Sequence, residues 1–188
     1  ATLAGIGLGA LADARGDRTR RLALPAALVA LTLALGQASF RQKWVHGAGV
    51  AHGDIKPANV ILARRHGVVV PTLIDFGVSS TVVAHGDPMV ALGTPTFMAP
   101  ERILRHAPPD VASDVWSLGA LLYTCAVGAL PFHGAALTDL VLEVLTHETP
   151  NTEGVAPSVR AVIDRAMHPD PHARFASTRE MTAALRAA

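Results

Sequence analysis

An acid, a base and an amide stand close together in residues 52–59, whose sequence is HGDIKPAN, and Asp75 follows at the end of the next apolar run. Asn59 and Asp75 offer amide and carboxylate oxygens. Such ligands suit Mg²⁺, which takes a few oxygens from the protein and completes its shell with water and substrate phosphates. Asp54 could orient or deprotonate a hydroxyl group, and Lys56 could neutralise charge on a transferring phosphoryl group. The spacing therefore indicates phosphoryl-transfer chemistry.

Two short β-branched runs would position these groups. Residues 60–62 and 68–74 are separated by Arg-Arg-His-Gly, a sequence typical of a turn between two paired strands. The segment 52–59 precedes the first strand and Asp75 follows the second. A loop held at strand ends displays its side chains, so we expect both groups to be presented from a common direction.

The rest of the chain has a mostly helical pattern. Residues 22–46 predict one long helix, which the glycines after it bring to an end. Residues 75–110 are rich in Gly, Pro, Ser and Thr without helical period, which predicts a long functional loop. Pro-containing turns separate four further predicted helices, at 115–127, 137–146, 159–167 and 178–188.

Length and composition narrow the class of protein. The chain has 188 residues, half of them hydrophobic and 16% charged, which fits one globular domain with a sizeable core. A net charge of +1 without long basic runs argues against a nucleic-acid partner. The single cysteine, Cys125, excludes an internal disulfide and favours a reducing compartment, so we expect a cytoplasmic location. The apolar stretch 22–36 is shorter than the roughly 20 residues of a spanning helix, so we expect no membrane segment.

Several motifs in order resemble those of protein kinases. Residues 52–59 resemble the catalytic loop, with Gly53 in place of its arginine, and residues 75–77 (DFG) resemble the metal-binding triplet. Residues 93–101 (GTPTFMAPE) resemble the end of the activation segment, and residues 113–119 (SDVWSLG) the start of the buried central helix. The resemblance covers nearly the whole chain from about residue 5.

The motifs after residue 77 decide which branch of the kinase superfamily the chain resembles. Kinases of aminoglycosides or choline also use His-Gly-Asp, an asparagine five residues after the aspartate and an Ile-Asp-Phe strand end, so residues 52–77 alone leave that alternative open. Those relatives lack the motifs in residues 93–119, which favours the protein-kinase branch. Lys56 and Thr94 are similar to the pattern of serine/threonine kinases.

The resemblance implies a role for each site residue. Asp54 would accept the proton of the substrate hydroxyl, and Lys56 would steady the transferring phosphate. Asn59 and Asp75 would hold Mg²⁺ and, with Lys56, contact bound ATP. Thr94 would belong to the substrate-binding part of the activation segment.

Other motif residues would support the site structurally. Asp114 would accept backbone N–H groups of the catalytic loop near His52 and Gly53, and Glu101 would pair with Arg174. The residues expected to be structural are His52, Phe76, Gly77, Glu101, Asp114 and Arg174.

The fold that this resemblance implies is the large C-terminal lobe of a protein kinase, mainly α with a small β element, over residues 1–188. We expect a post-hinge segment with a short helix at 1–21, the long helix at 22–46 and the catalytic loop, hairpin and triplet at 47–77. The activation segment at 78–101 and a helical subdomain at 102–188 would follow.

The small lobe is expected to be missing. Its glycine-rich loop and ATP-anchoring lysine have no match, because the only lysines are Lys43 and Lys56. The sequence GIGLGA at residues 5–10 superficially resembles a glycine-rich loop. We interpret it instead as following the hinge, with the short helix at 8–15.

The implied activity is transfer of the ATP γ-phosphate to a Ser or Thr hydroxyl of a protein substrate, with ATP and Mg²⁺ as cofactors, impaired or absent in the isolated chain. A small lobe or partner chain would cover the open cleft. The alternative is a non-catalytic, pseudokinase-like interaction module or a truncated gene product. Because Gly53 replaces the arginine that receives a phosphorylated activation loop in many relatives, phosphorylation at Ser79, Ser80 or Thr81 should have little effect.

Overall fold

A computed structural model describes residues 6–7, 51–65, 68–75, 95–105, 107–134, 136–146 and 151–188. The strands in these segments are β1 (Ile6–Gly7), β2 (Val60–Arg65) and β3 (Val68–Leu73), and the helices are α1 (Pro100–Arg105), α2 (Val111–Val127), α3 (Leu137–Thr146), α4 (Pro157–Ala166) and α5 (Thr178–Ala187). Single 3₁₀ turns span Pro57–Asn59, Pro95–Phe97 and Pro171–Ala173. The fold is mainly helical with a small sheet, as predicted. The predicted helices at 8–15 and 22–46 lie outside the described residues.

The sheet is built around the predicted hairpin. β2 and β3 pair antiparallel from Val60 opposite Leu73 to Arg65 opposite Val68, and β1 pairs antiparallel with the other edge of β2. Pro71 lies in β3, at the edge of this sheet. A residue without an N–H group is tolerated at an edge, because the outer side of the strand has no ladder to complete. The catalytic loop, which precedes Val60, and Asp75, which follows Leu73, therefore extend from the same end of the paired strands β2 and β3.

Helix α2 is the centre of the described core. Val115, Trp116 and Leu121 are at most 1% exposed, and the Trp116 ring stacks on Phe132 with centroids 6.3 Å apart. The helix begins at Val111 rather than at the predicted residue 115. The reason is a capping box, in which the Asp110 carboxylate accepts from Ser113 N at 2.7 Å and Ser113 Oγ accepts from Asp110 N at 3.0 Å.

The prediction of one uninterrupted loop over residues 75–110 is wrong for its last part. The 3₁₀ turn Pro95–Phe97 and helix α1 fall within it, each beginning at a proline. Proline's fixed φ suits the first position of a helix, where its missing N–H is not needed. Elements of three and six residues are too short to show a hydrophobic period, so the sequence pattern did not reveal them.

Of the helices in the described segments, none combines the length and the apolar character that a bilayer span requires.

Candidate active site

The catalytic loop is anchored by a buried carboxylate from the first turn of α2. Asp114 is fully buried, and its Oδ2 accepts a hydrogen bond from His52 N at 2.7 Å while its Oδ1 accepts from Gly53 N at 2.9 Å. Hydrogen bonds to an ionised carboxylate are roughly twice as strong as bonds between neutral groups. Residues that are 61 and 62 positions apart in sequence are therefore joined, through the contacts that the kinase resemblance implies.

His52 connects the same loop to the end of the hairpin. Its Nδ1 accepts from Asp54 N at 3.2 Å, so the ring proton is assigned to Nε2, which donates to Ile74 O at 2.9 Å. The imidazole is only 2% exposed. One buried side chain thus sets the position of Asp54 relative to the residue that precedes Asp75.

Three of the predicted catalytic and metal-binding residues are in direct contact. The Asn59 amide nitrogen donates to Asp54 O at 2.7 Å and to Asp54 Oδ2 at 2.9 Å. The Lys56 ammonium lies 2.9 Å from the same Oδ2. The Asp54 and Lys56 side chains remain 33% and 21% exposed, so this cluster of Asp54, Lys56 and Asn59 faces solvent on one side.

Asp75 extends from the strand end beside this cluster. Ile74 N donates to Asn59 O at 2.9 Å, which fixes the chain just before Asp75 against the catalytic loop. Asp75 is exposed and has φ of 61°, a left-handed conformation that aspartate adopts more readily than most residues.

The donor set fits Mg²⁺. Within the described residues the Asn59 side chain bonds through its nitrogen, which leaves its oxygen for a ligand, and Asp75 adds an exposed carboxylate. Oxygen donors of this kind are the ones that Mg²⁺ prefers. Phe76, Gly77 and Thr94 lie outside the described residues, as do Ser79, Ser80 and Thr81.

Glu101 and Arg174 form a two-pronged ion pair between α1 and the turn before α5. Arg174 Nη1 and Nη2 donate to Glu101 Oε1 and Oε2 at 2.7 and 2.8 Å, and the Arg174 side chain is fully buried. The remaining donors bond to the backbone oxygens of Ala112, His168 and Pro169 at 2.8 to 3.2 Å. All five N–H groups of the guanidinium are therefore used.

Arg102, which was not predicted from the sequence, also contacts the site. Its Nη1 donates to Gly53 O within the catalytic loop. Burial lowers the pKa of Arg102, while the carboxylates around it, Asp114 foremost, act to raise it. An arginine directly after the Ala-Pro-Glu motif, together with a glycine where the loop ordinarily has arginine, was the available signal.

The sequence matches a known protein family. Residues 40–185 match the protein kinase domain family. The chain is 38% identical over 155 residues to the serine/threonine-protein kinase AfsK of Streptomyces griseus and 40% identical over 137 residues to AfsK of Streptomyces coelicolor. It is 31% identical over 172 residues to the serine/threonine-protein kinase Pkn1 of Myxococcus xanthus.

These matches cover most of this chain but a minor part of each relative. They span 81%, 72% and 87% of the chain, and 18%, 16% and 25% of the respective relatives. The family match alone includes the catalytic loop, the hairpin, α1 to α4 and nearly all of α5. The chain therefore belongs to the protein kinase family, among serine/threonine kinases of the bacterial type.

Proposed function

We propose that the chain supplies the catalytic half of a protein serine/threonine kinase, which transfers the ATP γ-phosphoryl group to a Ser or Thr hydroxyl of a protein. The observation that carries this proposal is the contact cluster of Asp54, Lys56 and Asn59, held beside Asp75 by buried bonds from Asp114 and His52. A chain with only a structural use for these residues would not need a carboxylate, an ammonium and a buried amide to meet where solvent still reaches the first two.

The contacts support separate roles for the two oxygens of Asp54. Its Oδ2 is occupied by Asn59 and Lys56, which fixes the carboxylate plane. Its Oδ1 is then the atom that accepts the substrate hydroxyl proton as the oxygen attacks phosphorus. Lys56 lies close enough to the carboxylate to stabilise negative charge that develops on a phosphoryl group placed there.

Asn59 and Asp75 would hold Mg²⁺. When bound with ATP, this ion supplies charge neutralisation and alignment of the phosphates. The protein's own contribution is to keep the Asn59 oxygen and the Asp75 carboxylate on neighbouring backbone segments, which the Ile74 N to Asn59 O bond ties together.

A protein substrate is proposed from the family and from the relatives, whose names describe serine/threonine-protein kinases. The isolated chain should bind nucleotide weakly, because no glycine-rich loop followed by a lysine-bearing strand is found in residues 1–188. We also propose that the protein is located in the cytoplasm and that a small lobe or a partner chain covers its cleft.

The first experiment measures nucleotide binding by thermal melting with and without saturating Mg-ATP. A ligand at 100 times its dissociation constant stabilises the folded chain by about 2.7 kcal/mol. Because the isolated chain should bind nucleotide weakly, we expect Mg-ATP to stabilise it by less than this amount. Asp75→Asn keeps the shape of the side chain and tolerates the left-handed backbone, and it should abolish the stabilisation. Asp164→Asn, at an exposed position on α4, is the matched control and should keep the shift.

The second experiment measures transfer to Ser/Thr peptides, using the chain alone and the chain fused behind the small lobe of the Streptomyces coelicolor AfsK relative. The fusion should phosphorylate peptides, and Asp54→Asn should reduce the rate by about 10²- to 10⁴-fold. A fusion that binds Mg-ATP without any transfer would overturn the proposal and favour an interaction module.

A further inference from the structure

The backbone at Gly53 has no room for a side chain. Gly53 has φ of 77°, and a Cβ added there would lie 2.6 Å from Pro109 Cγ and 2.8 Å from Pro109 Cβ. Distances below 3.0 Å do not occur for real Cβ atoms, and the positive φ adds backbone strain for any other residue. The arginine that kinase catalytic loops often carry at this position is therefore excluded here.

A different arginine reaches the same peptide from α1. Arg102 Nη1 donates to Gly53 O, and the same nitrogen would be 3.7 Å from a Cβ at position 53. The Arg102 Nε is buried and has no hydrogen-bond partner among the described residues. Among the described residues, the bond to Gly53 O is a polar contact that orients this guanidinium.

The surroundings indicate what this cation acts on. Burial lowers the pKa of Arg102, and the charges that oppose the shift are carboxylates, in decreasing order Asp114, Asp54, Glu101 and Asp110. Arg102 therefore contacts the catalytic loop through a charge-assisted bond to Gly53 O, among acidic groups that include Asp54 of the same loop.

The peptide on either side of Gly53 is held from two helices. Its N–H donates to Asp114 Oδ1 from α2 at 2.9 Å, and its C=O accepts from Arg102 of α1. The next residue is Asp54. We propose that Arg102 is a positioning residue that fixes the Gly53 carbonyl and thereby the orientation of Asp54, an inference that rests on the proposed function for its catalytic meaning.

Hydrogen exchange of the purified chain tests the geometry without requiring activity. Arg102→Met keeps the aliphatic stem and removes the donors, and we expect exchange of the amides at 52–54 to rise about tenfold, the effect of losing one charge-assisted hydrogen bond. Arg102→Lys restores a cationic donor and should recover part of the protection. Arg105→Met, at an exposed site of the same helix, should leave exchange unchanged.

For Arg102→Met, two exchange results would overturn the proposal. One is unchanged exchange at 52–54 in Arg102→Met. The other is an equal rise in α4, which would mean that Arg102 supports the whole lobe and not the loop. A melting curve shows whether each variant is folded. If Arg102→Met does not fold, Arg102→Lys decides the question. Exchange at 52–54 that stays unchanged in Arg102→Lys, as it does in Arg105→Met, would contradict a geometric requirement at the Gly53 carbonyl.

Peptide phosphorylation by the fusion described above tests the catalytic meaning separately. Arg102→Met should lower kcat about tenfold, with KM for ATP changed less than twofold, because the residue orients Asp54 and touches no nucleotide. If the unaltered fusion shows no transfer, the proposed function fails while the exchange measurement still decides whether Arg102 fixes the loop. If kcat is unchanged while exchange rises, the positioning role is rejected.

Discussion

Asp114 illustrates how much of the site depends on a single side chain. Both of its oxygens accept backbone N–H groups of the catalytic loop, and it is completely removed from solvent. A buried carboxylate without such donors would be strongly unfavourable, and buried N–H groups without an acceptor would be costly as well. The loop and the carboxylate therefore stabilise each other.

Replacing Asp114 should consequently destabilise the lobe. Asp114→Ala leaves two buried donors unsatisfied, at about 1–3 kcal/mol each, so we expect the free energy of unfolding to fall by about 2–6 kcal/mol. Asp114→Asn retains one acceptor oxygen and should lose less. Urea unfolding measures both, and an Asp114→Ala variant that unfolds at the same urea concentration as the parent would contradict this view of the site.

Glu180 makes the stability of the fold depend on pH. Its pKa is lowered, chiefly by the hydrogen bond that Ala176 N donates to Oε2 at 2.8 Å and next by Arg165, which donates to Oε1 at 2.6 Å. A depressed pKa in the folded state stabilises the fold above the unfolded-state pKa, and this stabilisation disappears as the pH falls through the folded-state pKa.

We therefore expect the parent chain to melt higher than Glu180→Gln at pH 7, and the difference in Tm to vanish in acid. Glu153→Gln, at another exposed position, is the control for removing a negative charge. A difference between parent and Glu180→Gln that is the same at both pH values would show that the ionised carboxylate contributes nothing to folding.

Helices α2 and α4 pack closely against each other at Gly119. A Cβ added at Gly119 would lie 2.8 Å from both Ala166 Cβ and Met167 Cγ. Leu121 and Ile163, on the same two helices, are each 1% exposed, so the helices cannot separate without opening the core.

Gly119→Ala tests this approach. Alanine ordinarily improves a helix by up to about 1 kcal/mol over glycine, but the overpacked methyl group should reverse the sign and destabilise the chain by about 1–3 kcal/mol. Adding Ala166→Gly removes one of the two clashes, so the double variant should lose less than the sum of the single ones. Additive losses in urea unfolding would refute a direct contact.

The elements that the sequence revealed are those with local patterns. The hairpin was predictable because β-branched runs flank a short polar turn, and α2 because its apolar residues continue over several turns. The start of α2 and the existence of α1 were not predicted, since a capping box and a six-residue helix carry no period. The contact between Arg102 and Gly53 spans 49 positions, so the arginine after Ala-Pro-Glu and the glycine in the catalytic loop mark the two positions without showing that they touch.

At the scale of the whole molecule, the Glu101 and Arg174 pair joins α1 to the C-terminal helices. The two residues are 73 positions apart, and the guanidinium also lies 5.0 Å from the Trp116 ring of α2. A buried pair is not by itself a large source of stability, but removing one partner leaves the other charge uncompensated.

Arg174→Ala should therefore lower the free energy of unfolding by about 3–5 kcal/mol. Arg174→Lys should recover less than half of this loss, because an ammonium group cannot reproduce five donors in a planar arrangement. The control is Arg165→Lys in the exposed pair with Glu180, where we expect a change within about 1 kcal/mol. Equal effects of the two lysine substitutions would contradict the importance of the planar geometry.

The contact between positions 53 and 109 also constrains how this sequence can change over generations. Gly53→Arg as a single step places a new Cβ against both Pro109 Cγ and Pro109 Cβ, so exchanging the proline for alanine removes only one of the two clashes. Only glycine at position 109 clears both atoms. In this structure an arginine at position 53 is therefore compatible only with a change at position 109 as well, and the positive φ of Gly53 would still strain it, so positions 53 and 109 should vary together and not one at a time.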